Sequence, residues 1–368
     1  MEKIKVLIVD DSAFMRKLIN DFLSEDPRIT VIGTARNGED GIKKIKELKP
    51  DVVTLDVEMP VLNGISALKR IMEENPVPVI MLSSTTKEGA DNTVHAMQIG
   101  AIDFIAKPSG SISLDLYKVK KELLDKVVSA SLVKVKTILN LPNKEQSTII
   151  LQRDYSKMEL NNKEKQVQKS VSIEKWNNNK RKVILIGTST GGPRALQHVL
   201  TKLPRDINAA ILIVQHMPPN FTKSLASRLD SLSEITVKEA THGELIQKGV
   251  AYIAPGGFHL KAKSIGRNIA IHLDQTEPIN GHRPSVDVMF QSVSNINNYE
   301  KIAVIMTGMG SDGKNGLVEL ASQGEIKAIA ESKETSIVFG MPKAAIATDY
   351  IDHIENVENI AETIMKYV

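Results

Sequence analysis

Short, mostly apolar runs recur at regular intervals along this chain, and a polar residue follows most of them. Ile4 to Val9, Ile29 to Ala35, Asp51 to Leu55, Val77 to Leu82 and Ala101 to Ala106 are the runs of the first third. Runs of that length without strict alternation fit strands buried on both faces. Helical patterns separate them. One follows Asp11-Ser12, which can cap it, and carries Phe14, Met15, Leu18, Ile19 and Phe22 on its apolar face. Others span Gly38 to Leu48, Gly64 to Met72 and Ala90 to Ile99, and a last one runs from near Leu114 to about Val135. Five alternations predict an open, five-stranded parallel sheet with helices on both faces. In such sheets ligands bind beyond the carboxyl ends of the strands.

Asp10, Asp56, Ser83 and Lys107 fall at those ends, with Asp11 beside the first. Crowded carboxylates repel one another, and hard oxygen ligands select Mg²⁺ to relieve the repulsion. One carboxylate can then attack a phosphoryl donor. The lysine charge and the Ser83 hydroxyl suit the oxygens of an acyl phosphate. Each residue alone reads as a cap or a turn; the set at matching strand ends reads as a site.

The same cycle returns later. Val183 to Ile186 is a strand run, followed by Gly187-Thr188-Ser189-Thr190-Gly191-Gly192-Pro193 and a helix from Arg194 to Leu200. No Gly-Lys-Ser/Thr follows, so the phosphate-loop pattern is incomplete, and a Gly-x-Gly-x-x-Gly fingerprint is absent. A serine between glycines at a strand-to-helix turn fits a nucleophile elbow better. Ala209 to Val214 delivers Gln215-His216, and Ile302 to Met306 delivers Thr307 to Gly313 with Asp312. Ser189, His216 and Asp312 can therefore meet as nucleophile, base and orienting acid. The bland alternative makes Ser189 and Asp312 helix caps and His216 a strand-end histidine. His242, His259, His272 and His282 compete for the base: His259 in a turn, His272 on an exposed strand, His282 opening a helix. There Pro284 suits the first turn and Ser285 and Asp287 its N-terminal charge preference. Arg283 reads as a solvated surface residue, with contact to an acidic substrate as the alternative.

Between the halves, Asn140 to Lys182 is rich in lysine, asparagine and glutamate and lacks glycine. It reads as a polar tether holding one apolar island, Ile149 to Leu151. Trp176 is expected at the edge of the second domain. A length of 368 residues suits two domains. The boundaries read as a first domain over 1–125, a helical extension and linker over 126–181, and a second domain over 182–368.

Leu7 to Ser12, Leu55 to Pro60 with Asn63-Gly64, Met81 to Ser84 and Ala106-Lys107-Pro108 resemble the receiver domain of bacterial response regulators. The resemblance implies a flavodoxin-like fold with Asp56 as phospho-acceptor. Mg²⁺ would be held by Asp10, Asp11, Asp56 and the Glu58 carbonyl, and Ser83 and Lys107 would sense the phosphoryl group. Gly187 to Gly192, Gln215 to Pro218, Ala254-Pro255-Gly256 with His259, Arg283 to Asp287 and Thr307 to Gly313 are similar to the CheB family. These are chemotaxis protein-glutamate methylesterases/glutaminases. That resemblance implies a doubly wound α/β hydrolytic domain with a mainly parallel sheet. Ser189, His216 and Asp312 would be its triad, with Thr190 and the Met309 amide assisting at the oxyanion. Ester hydrolysis would need no cofactor. The implied partners are methylated chemoreceptor cytoplasmic helices and the phospho-donor histidine kinase of the chemotaxis system.

Composition narrows the classes. There is no cysteine, which excludes disulfides and thiolate chemistry. A net charge of +3 and the lack of a basic stripe argue against a nucleic-acid binder. No apolar stretch reaches the roughly 20 residues of a membrane span, and no leader pattern opens the chain. A cytoplasmic monomer is the expectation. The runner-up function is a receiver-controlled receptor-binding protein without catalysis.

Overall fold

The computed structural model describes residues 2–107, 113–133 and 180–368. The polar stretch from Asn140, the island Ile149 to Leu151 and Trp176 lie outside the described residues.

The first domain contains β1 (Ile4–Val9), β2 (Ile29–Ala35), β3 (Val52–Asp56), β4 (Val79–Ser83) and β5 (Asp103–Ala106). They form one parallel sheet in the order β2-β1-β3-β4-β5. Helices α1 (Ala13–Ser24), α2 (Gly38–Leu48), α3 (Gly64–Glu74), α4 (Lys87–Ile99) and α5 (Ser113–Ser131) connect and follow them. Ser12, Asn37, Asn63 and Thr86 cap α1 to α4, each accepting a backbone amide three residues on. These caps satisfy amides that have no partner inside the helix.

Phe14 departs from the expected apolar face and is 70% exposed. The buried residues of α1 are Ile19 and Leu23. At about 100° per residue, Phe14 lies about 140° around the helix from Ile19 and about 180° from Leu23. Helix α5 runs through residue 125 without a break and buries Leu123, Val127 and Ala130.

The second domain begins with β6 (Arg181–Thr188), α6 (Gly192–Leu200), β7 (Ala209–Gln215), α7 (Phe221–Asp230), β8 (Thr236–Glu239) and β9 (Val250–Ile253). It continues with β10 (His259–Ile265), β11 (Asn268–Asp274), α8 (Val286–Ser294), β12 (Tyr299–Ile305) and α9 (Lys314–Ser322). It ends with β13 (Ile326–Glu331), α10 (Met341–Ile346), β14 (His353–Glu355) and α11 (Val357–Met365). Seven parallel strands run in the order β14-β13-β12-β6-β7-β9-β8, and β10–β11 form a separate antiparallel hairpin.

Alternate residues of β6 and β7 feed two cores. Ile184, Ile186, Ile211 and Ile213 join one; Val183, Leu185, Leu212 and Val214 join the other. The chain winds outward from β6 to β8 and β9, then returns to β12 on the other side of β6. That reversal opens a crevice beyond the carboxyl ends of β12, β6 and β7. Among the described residues, no helix is long and apolar enough to cross a membrane.

Candidate active site

Three adjacent strands deliver the three candidate residues. Ser189 follows β6, His216 follows β7, and Asp312 lies in the loop after β12. The Ser189 amide donates to the Thr307 carbonyl at 3.0 Å, and the His216 amide to the Thr188 carbonyl at 3.2 Å. The ladder of backbone bonds thus continues past the strand ends and fixes both residues. Gly308 lets the backbone approach closely: a Cβ there would sit 2.8 Å from Ser189 Cβ and 2.3 Å from Met341 Sδ.

His216 Nε2 and Asp312 Oδ2 are 2.8 Å apart. Asp312 also accepts from Ser285 Oγ at 2.8 Å, the Val286 amide at 2.7 Å and the Asp287 amide at 3.1 Å. It therefore caps no helix of its own loop; Gly313 holds the N-cap of α9. Its carboxylate lies instead at the N-terminus of α8, where backbone dipoles favour an anion. Burial pushes the Asp312 carboxyl up, but the His216 and amide bonds outweigh it and hold it at about 2. Asp287 answers in kind, accepting the Gly313 and Gly316 amides. With Nε2 bound to a carboxylate, Nδ1 is the ring nitrogen left to take a proton; it is buried without a hydrogen-bond partner among the described residues. Among the described residues, no hydrogen bond joins Ser189 Oγ to His216.

The competing histidines separate. His259 is buried at the start of β10, with Nε2 on the Glu277 carbonyl. His242 and His272 face each other at the hairpin, ring centroids 4.9 Å apart, and His272 is half-buried rather than exposed. His282 stacks on His216. Two expectations about its neighbours are corrected. Pro284 is buried ahead of the Ser285 cap rather than inside the first turn of α8. Arg283 is half-buried, and its guanidinium donates to the Gln275 and Thr276 carbonyls at 2.9 Å each. It ties down a loop instead of lying in solvent.

Thr190 Oγ1 donates to Asp103 Oδ2 of β5 in the first domain, at 2.5 Å. Met309 Sδ accepts from Ser129 Oγ of α5 at 2.9 Å. The first domain therefore contacts both candidate oxyanion residues. Further contacts extend this seam. Phe104 and Phe221 stack with centroids 4.5 Å apart. Gln98 bonds both Gln197 and Arg228, and Asn220 donates to the Thr85 carbonyl.

At the other site, ligand atoms of Asp10, Asp11 and Asp56 lie within 4.8 Å of one another. Lys107 Nζ is 2.8 Å from Asp56 Oδ1 and 3.1 Å from Asp10 Oδ2. Among the described residues, Asp56 Oδ2 is buried with no hydrogen-bond partner, and Asp10 Oδ2 has only that ion contact. Unfilled carboxylate oxygens of this kind fit a hard divalent cation. Glu58 adds no carboxylate to the cluster; its side chain accepts from Ser84 Oγ at 3.1 Å. Burial drives the Asp56 carboxyl up to about 6 against the pull of Lys107. Ser83 Oγ is buried on the Gly89 carbonyl at 2.9 Å.

Several residues that support the site were not legible in that role. Gln215 Nε2 holds the Ser189 carbonyl at 3.0 Å. Ser285 and Asp287 were legible as helix-start residues within the run Arg283 to Asp287, not as partners of Asp312, and Asp103 only as a strand residue.

An acidic pocket at one sheet edge and a Ser–His–Asp crevice at another define a response regulator with a hydrolase-like output domain. The chain matches the response regulator receiver domain over residues 6–116 and the CheB methylesterase over residues 184–364. A protein-glutamate methylesterase/protein-glutamine glutaminase of Halalkalibacterium halodurans is 56% identical, covering 99% of this chain and 98% of that one. One of Bacillus subtilis is 50% identical, covering 99% and 98%. The crystal structure of the Thermotoga maritima CheB methylesterase catalytic domain is 47% identical with a TM-score of 0.50. It covers 51% of this chain and 98% of that one. The chain belongs to the CheB family of protein-glutamate methylesterases/protein-glutamine glutaminases.

Proposed function

We propose that this chain demethylates glutamate methyl esters and deamidates glutamines on chemoreceptor cytoplasmic helices, under control of phosphorylation at Asp56. One observation carries the reading: adjacent strands bring Ser189, His216 and Asp312 to a single crevice, with His216 and Asp312 joined at 2.8 Å.

Ser189 Oγ attacks the side-chain carbonyl carbon and gives its proton to His216 Nδ1. Asp312 holds the ring and offsets the imidazolium charge. The carbonyl oxygen becomes an oxyanion, for which Thr190 and the Met309 amide are the donors. His216 returns the proton to the leaving group, releasing methanol from an ester or ammonia from a glutamine. Water then attacks the acyl-serine by the same route and leaves glutamate. No cofactor enters either half. A purely receptor-binding role would give the His216–Asp312 pair no task.

The control arm begins at Asp56, which takes the phosphoryl group from the histidine kinase of the system. Mg²⁺, held by Asp10, Asp11, Asp56 and the Glu58 carbonyl, would neutralise the crowded negative charge when bound. Lys107 pairs with the acyl phosphate. Ser83 Oγ exchanges the Gly89 carbonyl for a phosphoryl oxygen and draws the loop ahead of α4 with it. That loop holds Asn220 through the Thr85 carbonyl, four residues past His216. Its movement loosens the seam that keeps Thr190 on Asp103. The expected setting is a cytoplasmic monomer.

Ser189→Ala tests the nucleophile. Methanol release from methyl-labelled receptor membranes and ammonia release from glutamine sites should fall together, by about 10³-fold or more. Release at the wild-type rate from either substrate rejects the shared serine.

A further inference from the structure

One segment, residues 279–287, grips the candidate base from two directions. Ser285, Val286 and Asp287 hold the carboxylate that holds His216. The ring of His282 lies on the imidazole itself, centroids 3.9 Å apart and planes 8° from parallel. A tight turn sets its place. Asn280 and Gly281 both have positive φ, 53° and 82°, as a type I′ two-residue hairpin turn requires. Ile279 and His282 close that turn by exchanging two backbone bonds, at 3.1 and 2.9 Å.

The Asp312 bond restrains the His216 ring at one atom only. A ring anchored at Cβ and at Nε2 can still swing about the line between them. Such a swing would keep the Asp312 bond and carry Nδ1 away from the serine. A flat group against the ring face blocks it. We infer that His282 is a positioning residue for catalysis, acting through His216 by holding the plane of its ring. The inference rests on the reading of His216 as the base.

The chemistry of His282 fits a neutral wall. Burial, then the neighbouring His216, pushes its imidazole down to about 4, with Asp312 opposing and Lys126 and Lys121 of α5 adding to the fall. Facing planes of two imidazoles also disfavour a charge on both. The role therefore needs a flat ring and no proton, which separates it from a second base.

The test uses the full chain, treated with acetyl phosphate and Mg²⁺, on methyl-labelled receptor membranes. His282→Ala should lower kcat about tenfold or more and move KM by less than about threefold, as a misplaced base does. His282→Phe keeps the flat face and should recover kcat to within about threefold of wild type. Thermal melts of both variants establish that the fold survives. Ser189→Ala runs alongside. If it keeps turnover, the reading of the site fails before that of His282. If Ser189→Ala is dead, two results overturn the inference: a His282→Ala kcat within twofold of wild type, or a folded His282→Phe as impaired as His282→Ala.

Discussion

Glu331 shows how a single buried group supports a site it does not enter. It ends β13 at 1% exposure. Its Oε2 accepts the Thr307 amide at 2.8 Å, and its Oε1 accepts the Thr335 hydroxyl at 3.0 Å. Thr307 in turn holds the Ser189 amide through its carbonyl and the Thr190 carbonyl through its hydroxyl. Burial pushes the Glu331 carboxyl up to about 7, against the two bonds it receives, from 4.5. The folded protein therefore keeps a proton that the unfolded chain releases. Stability from this group is complete below the unfolded value, falls as pH rises through the folded value, and is constant above it. A tenfold change in proton affinity is worth about 1.4 kcal/mol, so the loss is on the order of 3 kcal/mol at most. Glu331→Gln carries no titrating proton. Its Tm relative to wild type should be about 4 °C or more higher at pH 8.5 than at pH 5. The same difference at both pH values would show that Glu331 does not titrate in the fold.

At the scale of elements, the seam between α4, β5 and α5 on one side and the crevice on the other carries the proposed control. Asp103 Oδ2 takes the Thr190 hydroxyl, while Oδ1 faces Lys126 Nζ at 3.1 Å and the Phe104 amide at 2.8 Å. A hydrogen bond to a charged group contributes roughly 1.5–3 kcal/mol. Because about 1.4 kcal/mol is a factor of ten, losing this bond shifts the closed-to-open balance substantially while the Phe104–Phe221 stack remains. Asp103→Ala should raise turnover of the unphosphorylated chain about tenfold and shrink the stimulation by acetyl phosphate. Basal turnover at or below wild type would mean that this contact does not restrain the enzyme.

The elements were legible where local pattern decides them. β1, β2 and α2 match the apolar runs because strands buried on both faces and capped helices write themselves into a few adjacent residues. The strand ends that precede Ser189 and His216, and the strand ahead of the Asp312 loop, were legible for the same reason. Phe14 misled because an aromatic residue among apolar neighbours says nothing of its angle around the helix. Arg283, Asp103, Glu331 and the His282 stack were not legible as site supports. Each owes its role to a partner brought near by the fold: Asp103 and Thr190 are 87 residues apart in sequence, and Ser129 and Met309 are 180.

The whole molecule places two sheet edges in series. The acidic pocket lies beyond β1, β3, β4 and β5, and the crevice lies beyond β12, β6 and β7. The hydrophobic core of the receiver is continuous with the face of the second sheet that includes Ile184 and Ile211. A phosphoryl group can shift this assembly only through a difference in its contacts with closed and open arrangements. Ser83 on the Gly89 carbonyl and Thr85 on Asn220 are where such a difference would arise. The direct measurement is methanol release from methyl-labelled receptor membranes by the full chain, with and without acetyl phosphate and Mg²⁺, in wild type and Asp56→Asn. The account predicts a rise of about tenfold or more with acetyl phosphate in wild type and none in Asp56→Asn. Equal stimulation of both proteins, or no stimulation of wild type, would contradict it.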